Sequence, residues 1–81
     1  MNYEAIRNEV QNIFREVADE PSVILKDETT ADDVEGWDSL VHIQLLVAIE
    51  SKFNISFSSE EIGGYNNIGA MCIGIQQKLS S

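Results

Sequence analysis

The chain has one cysteine, one proline, five basic residues and no long apolar run. Each scarcity closes a class of function. A lone thiol forms neither an internal disulfide framework nor a thiolate metal cluster. Cys72 stands in the apolar run IGAMCIGI and reads as buried and inert. Five Lys and Arg against 14 Asp and Glu leave a net charge of -9, which excludes the basic footprint of a nucleic-acid binder and favours partners with a positive surface. No segment approaches the roughly 18 apolar residues of a membrane span, and MNYEAIRNEV carries acids where a signal peptide has its positive leader. The expectation is a cytoplasmic monomer. Residues 1–81 suffice for one domain without a separate catalytic module, and 43% hydrophobic residues are enough for a modest core.

Apolar periodicity divides the chain into helices. Tyr3, Ile6, Val10, Ile13, Phe14 and Val17 recur at steps of three and four, with Glu4, Arg7, Glu9 and Arg15 in the gaps, which predicts an amphipathic helix over 3–18. Pro21 ends it. The stretch PSVILKDETTADDVEGW lacks a helical period and reads as a loop of unusual length for a compact domain, pinned by Val23, Ile24, Leu25 and Val34 folding back onto the helices. A strand at SVIL would have nothing to pair with. The second helix runs from Ser39 to Phe53 with Asp38 as its cap. Leu45, Leu46, Ile49 and Phe53 make its core stripe, while Val41, Ile43, Val47 and Ala48 carry apolar surface further round the cylinder than a small bundle needs.

Phe57, isolated among polar neighbours, reads as an anchor in the core. Ser58 or Ser59 before Glu60 and Glu61 starts a short third helix limited by Gly63 and Gly64. Asn66 or Asn67 caps a final helix on which Ile68, Met71, Cys72, Ile75 and Leu79 keep a helical period. Gly69 and Gly74 inside it cost about 1 kcal/mol each relative to alanine, so close packing is expected there. The fold class is all-α: a small irregular four-helix bundle with three longer helices, one short helix and a long first loop.

Chemistry concentrates at EGWDSL. Asp-Ser at a helix start is an ordinary capping pair. With the cap assigned to Asp38, Ser39 stands just inside the helix and its hydroxyl is free to face water. Asp38, Ser39 and His42 do not make a catalytic triad, because neighbours on one helix face do not place an imidazole on the serine while an independent acid orients its far nitrogen. There is also no G-x-S-x-G elbow. His42 reads as an exposed surface residue that touches a partner. Asp32, Asp33, Glu35 and Asp38 lack the alternating ligands of a calcium loop and read as a solvated acidic face with no metal site. Gly63 and Gly64 neither follow a strand nor precede a lysine, so they are not a nucleotide loop.

The segment GWDSLVHIQLLVAIESKFNI resembles the prosthetic-group segment of acyl carrier proteins, in which Asp-Ser-Leu opens the second helix. Ser39-Leu40, the series Ile43, Leu46, Val47 and Ile49, the Glu50 to Phe53 end, Phe57 and the Ile68 to Ile75 helix all fall in register, so the resemblance covers essentially the whole chain. It implies 4'-phosphopantetheine in phosphodiester linkage to Ser39, taken from coenzyme A by a phosphopantetheinyl transferase that uses magnesium and recognises Asp38. The arm's thiol would hold an acyl or related group as a thioester for separate loading, modifying and transferring enzymes with basic docking surfaces, the chain itself catalysing nothing.

The resemblance further implies that partners read the second helix. Ile43 and Val47 would form the apolar centre of that surface, with Leu40, His42 and Gln44 beside them and Asp33, Glu35, Asp38 and Glu50 as the charged surround that orients an encounter. Trp37 stands where a small residue is common, either shielding the joint of loop and helix or packing on the arm. Gln44 and Ser51 replace glutamates usual in the fatty-acid type, which favours a dedicated polyketide, hydroxyacyl or other specialised pathway. Two alternatives stay open: an aminoacyl or peptidyl carrier, and an unmodified carrier-like interaction domain. Leu46, Ile49, Phe53 and the final helix would border a small apolar space that shelters part of a carried chain.

Overall fold

The first helix begins where the Asn2 side chain accepts the Ala5 amide at 2.8 Å, satisfying one of the donors that a helix start leaves free. In the computed structural model, which describes residues 2–80, this helix (α1) spans Tyr3–Val17. It is followed by a 3-10 turn at Ala31–Asp33, then α2 at Ser39–Phe53, α3 at Ser59–Gly64 and α4 at Ile68–Ser80. No strand occurs among the described residues. α1 packs against both α2 and α4. Ile6, Val10 and Phe14 of α1 share one core with Leu45, Leu46 and Ile49 of α2 and with Ile68, Met71, Cys72 and Ile75 of α4. Phe57 is buried in the same core, Phe53 packs at its edge, and Leu79 lies on the exposed end of α4.

The long segment between α1 and α2 is held at both sides. Towards α1, Arg15 Nε donates to the Val23 carbonyl at 2.8 Å and Gln11 Oε1 accepts the Leu25 amide at 2.8 Å. The Tyr3 hydroxyl and the Arg7 guanidinium both donate to Asp27 Oδ1, at 2.7 and 3.1 Å. Burial, and then the bond to Asp27, push the Tyr3 phenol up to about 12. Towards α4, the Ile68 amide donates to the Thr29 carbonyl at 2.9 Å and the Gly69 amide to the Asp27 carbonyl at 2.8 Å. Asn67 Oδ1 takes the Ala70 amide at 2.8 Å. The loop thus supplies acceptors for the start of α4. Its Leu25 is buried, and Val23 and Val34 pack on the core. Ile24 corrects the expectation that all four apolar residues fold back: it is 68% exposed, because burial alternates along this non-helical run and its two neighbours take the inward side. The 3-10 turn is also new relative to the sequence reading, and Asp33 Oδ2 fastens it by accepting the Thr30 amide at 3.0 Å.

α2 ends at Asn54, whose left-handed φ of 56° breaks the helix. Glu50 Oε2 then accepts the Phe57 amide at 2.8 Å and holds the turn. At α3, the Ser58 hydroxyl accepts the Glu61 amide at 3.2 Å and Glu61 Oε1 accepts the Ser58 amide at 2.8 Å, a reciprocal capping box. Lys78 Nζ of α4 reaches the same Glu61 oxygen at 2.9 Å. The bond from the Ser58 backbone, and then the Lys78 ammonium, hold the Glu61 carboxyl down at about 2 from its ordinary 4.5.

Two outcomes follow from this packing. A methyl group on Gly69 would lie 3.0 Å from the Asp27 carbonyl oxygen, 3.3 Å from Asp27 Cβ and 3.4 Å from the Tyr3 hydroxyl. That carbonyl is itself bound to the Gly69 amide, so moving it away stretches a backbone hydrogen bond. Gly69→Ala should destabilise by about 1–2 kcal/mol, read as a lower urea midpoint at unchanged slope, although helix propensity alone would favour alanine. A raised midpoint would show that the segment yields. For α3, the anchoring through Glu61 is complete above the unfolded value of 4.5 and is lost as the pH falls towards about 2. Amide protection of Ser58 to Tyr65 should decline across that window, and Glu61→Gln should remove the pH dependence; an identical acid profile in the variant would assign the loosening to another group.

Candidate functional site

Gly36 takes a φ of 87°, in the left-handed region, and this turn sends Trp37 inward just before the chain enters α2. Asp38 then serves the helix twice. Its Oδ1 accepts the Val41 amide at 2.9 Å, and its carbonyl accepts the His42 amide at 2.9 Å. Ser39 is the first residue of α2 and is exposed. Among the described residues, no protein group hydrogen-bonds its hydroxyl, and the amides of Ser39 and Leu40 have no protein acceptor. The site is therefore a solvent-facing hydroxyl at the positive end of a fifteen-residue helix with free amides beside it, an arrangement that suits an anionic phosphate on Ser39 Oγ.

His42 corrects the expectation of an exposed surface residue. It is half-buried and bonded through both ring nitrogens: Trp37 Nε1 donates to Nδ1 at 3.2 Å, and Nε2 lies 2.8 Å from the Ile62 carbonyl. Its burial follows from α3, which brings that carbonyl against the first turn of α2. Trp37 is 9% exposed; its indole stacks on the imidazole at 6.0 Å between ring centroids and packs on Phe14 at 5.1 Å. It fills the joint of loop and helix and also lines the space beside Ser39. With both ring nitrogens so committed, His42 is not placed to act as a general base on Ser39.

An open groove of about 550 Å3 runs beside the serine, lined by Trp37, Asp38, Ser39, His42, Ile43, Ile62 and Tyr65 among others. Leu46 and Ile49, expected to border a sheltering space, are closed into the core, and the groove beside the serine opens between α2 and α3. Ile62 and Tyr65 were not among the residues singled out from sequence. Their apolar and aromatic character was visible, but nothing local tied them to Ser39. Further along α2, Leu40, Ile43 and Val47 are 63%, 53% and 57% exposed, and Gln44 is exposed with them. Asp33 and Glu35 are exposed on the preceding segment, whereas Glu50 is half-buried with its carboxylate on the Phe57 amide. Cys72 is sealed in the core, and burial pushes its thiol up to about 11, away from reactivity. No group of three or more metal-ligating side chains is assembled among the described residues, nor is any of their helices long and apolar enough to cross a membrane.

A family model described as a phosphopantetheine attachment site matches residues 8–75. The solution structure of a holo acyl carrier protein from Geobacter metallireducens superposes with a TM-score of 0.85 at 35% identity, over 91% of this chain and 85% of that one. No curated protein matches the chain. The matched span takes in α2, α3 and most of α4 as well as the Asp38-Ser39 joint. The chain accordingly belongs to the acyl carrier protein family, as a non-catalytic carrier domain with a covalently attached 4'-phosphopantetheine.

Proposed function

We propose that Ser39 Oγ is the attachment point of the phosphopantetheine arm and that α2 is the face presented to the enzymes that load, modify and unload it. One observation carries this reading: Asp38 alone supplies the helix cap, which leaves the Ser39 hydroxyl exposed and unbonded at the helix end most favourable to a phosphate. When bound, the arm supplies a terminal thiol that holds an acyl or related group as a thioester. The chain's own part is to present Ser39, to keep Cys72 out of the chemistry and to orient partners.

Leu40, Ile43 and Val47 make the apolar centre of the docking face, since they stand exposed on one side of α2. Asp33, Glu35 and Asp38 lie towards its Ser39 end and guide a basic partner, chiefly through the encounter rate. Gln44 and Ser51 leave the exposed side of α2 short of acid. This supports a dedicated pathway, such as polyketide, hydroxyacyl or another specialised route, over bulk fatty-acid synthesis.

Incubated with coenzyme A, magnesium and a phosphopantetheinyl transferase, the unmodified chain should gain one arm by intact-protein mass spectrometry. Ser39→Ala should gain none, while its unfolding free energy changes by less than about 0.5 kcal/mol because the hydroxyl bonds nothing in the fold. Absence of an adduct on the native chain across several transferases would defeat the assignment, as would an arm on Ser39→Ala.

A further inference from the structure

The groove beside Ser39 lies between the first turn of α2 and the end of α3. It stops at an imidazole with no free polar atom. An indole N–H only donates and a backbone carbonyl only accepts, so His42 carries its proton on Nε2 and keeps the Nδ1 lone pair for Trp37. The bond from Nε2 to the Ile62 carbonyl ties α3 to α2 one turn beyond Ser39. α3 is six residues long and contributes no buried residue. Ties of this kind add to the packing of Ile62 and Tyr65 on the core: the Glu61–Lys78 pair fastens α3 to α4, and the edge contact of Tyr65 with Phe57, at 5.9 Å, fastens the residue that follows it.

We infer that His42 sets the length of carried group that this protein shelters: by latching α3 to α2 beside Ser39 it keeps the seam between the helices shut, so that a group is covered only as far as the surface groove extends. The inference rests on the reading of Ser39 as the attachment point. A longer alkyl chain would have to part His42 from Ile62, which unstacks the imidazole from Trp37 and strands an indole N–H and a carbonyl in a half-buried setting. A short chain meets only the walls formed by Trp37, Ile43, Ile62 and Tyr65. Since both imidazole nitrogens are occupied, His42 gives no hydrogen bond to the carried group, and its effect is on length.

The test loads acetyl, butyryl, hexanoyl and octanoyl groups onto the arm of the native protein, His42→Ala and His42→Gln. Hydroxylamine cleavage of each thioester is compared with that of the same acyl-pantetheine free in solution. The native protein should give no extra protection as the chain lengthens. His42→Ala should slow octanoyl cleavage by about tenfold, the protection expected from burying about two methylenes, and leave acetyl cleavage unchanged. His42→Gln, which keeps a donor for Ile62 and an acceptor for Trp37, should return to the native pattern.

Octanoyl protection already present in the native protein, or none gained in His42→Ala, would overturn the inference. If His42→Ala does not fold, ring-nitrogen NMR of the native protein decides: one Nε2-protonated pattern in both acetyl and octanoyl forms supports the latch, and its loss in the octanoyl form removes it. An arm that cannot be placed on Ser39 removes the carrier assignment and this inference together, whereas a loaded arm without the length effect removes the latch alone.

Discussion

The bond from the Val41 amide to the Asp38 carboxylate is the constraint on which the site depends. A helix start leaves donors that need acceptors, and an acid at the cap satisfies one for about 1 kcal/mol. Its larger consequence is positional. Because Asp38 performs the capping, Ser39 enters the helix without a structural duty. The burial of Leu45, Leu46 and Ile49 then sets the rotation of α2, so that Leu40, Ile43 and Val47 emerge on the outer side. Helical periodicity joins the serine and this apolar row to one rigid element.

The acidic chain keeps its long first segment in place mainly through hydrogen bonds, the exposed Arg7–Asp27 ion pair adding little by itself. Gln11 and Arg15 bind backbone atoms of that segment, Tyr3 and Arg7 converge on Asp27, and the segment returns its own carbonyls to the first amides of α4. An unstructured length thereby becomes a fixed connector, and Gly36 and Trp37 at its end are placed accurately enough to start α2 at Ser39. Gly69 is the point where connector and helix meet at backbone distance, which explains a residue that helix propensity disfavours.

Much of the bundle was legible because its determinants are local. The α1 stripe, the Asp38 cap, the Ser58 start of α3 and the Asn67 start of α4 each lie within a few residues of what they control. The residues that were misplaced have distant partners. His42 looked like surface because its acceptor, the Ile62 carbonyl, lies 20 residues on. Glu50, read as charge around a docking face, has a second duty the sequence did not announce, since its carboxylate holds the Phe57 amide in the turn after α2. Ile24 resembled its neighbours in composition, and only the path of the loop decided which of them faced inward.

Sequence alone determined that the chain is helical, that Asp38 is a cap and that Ser39 is thereby spare, because capping and periodicity are short-range properties of the backbone. Its in-register resemblance to acyl carrier proteins supplied the chemistry proposed for that hydroxyl. Tertiary structure decided where the groove opens and what closes it. Those features depend on α3 lying against the start of α2, an approach set by the Glu50 and Glu61 bonds and the Phe57 anchor. The pairing of a nitrogen on one helix with a carbonyl on another has no signature in residue order, since every residue carries the same backbone oxygen, and only folding selects which one His42 meets.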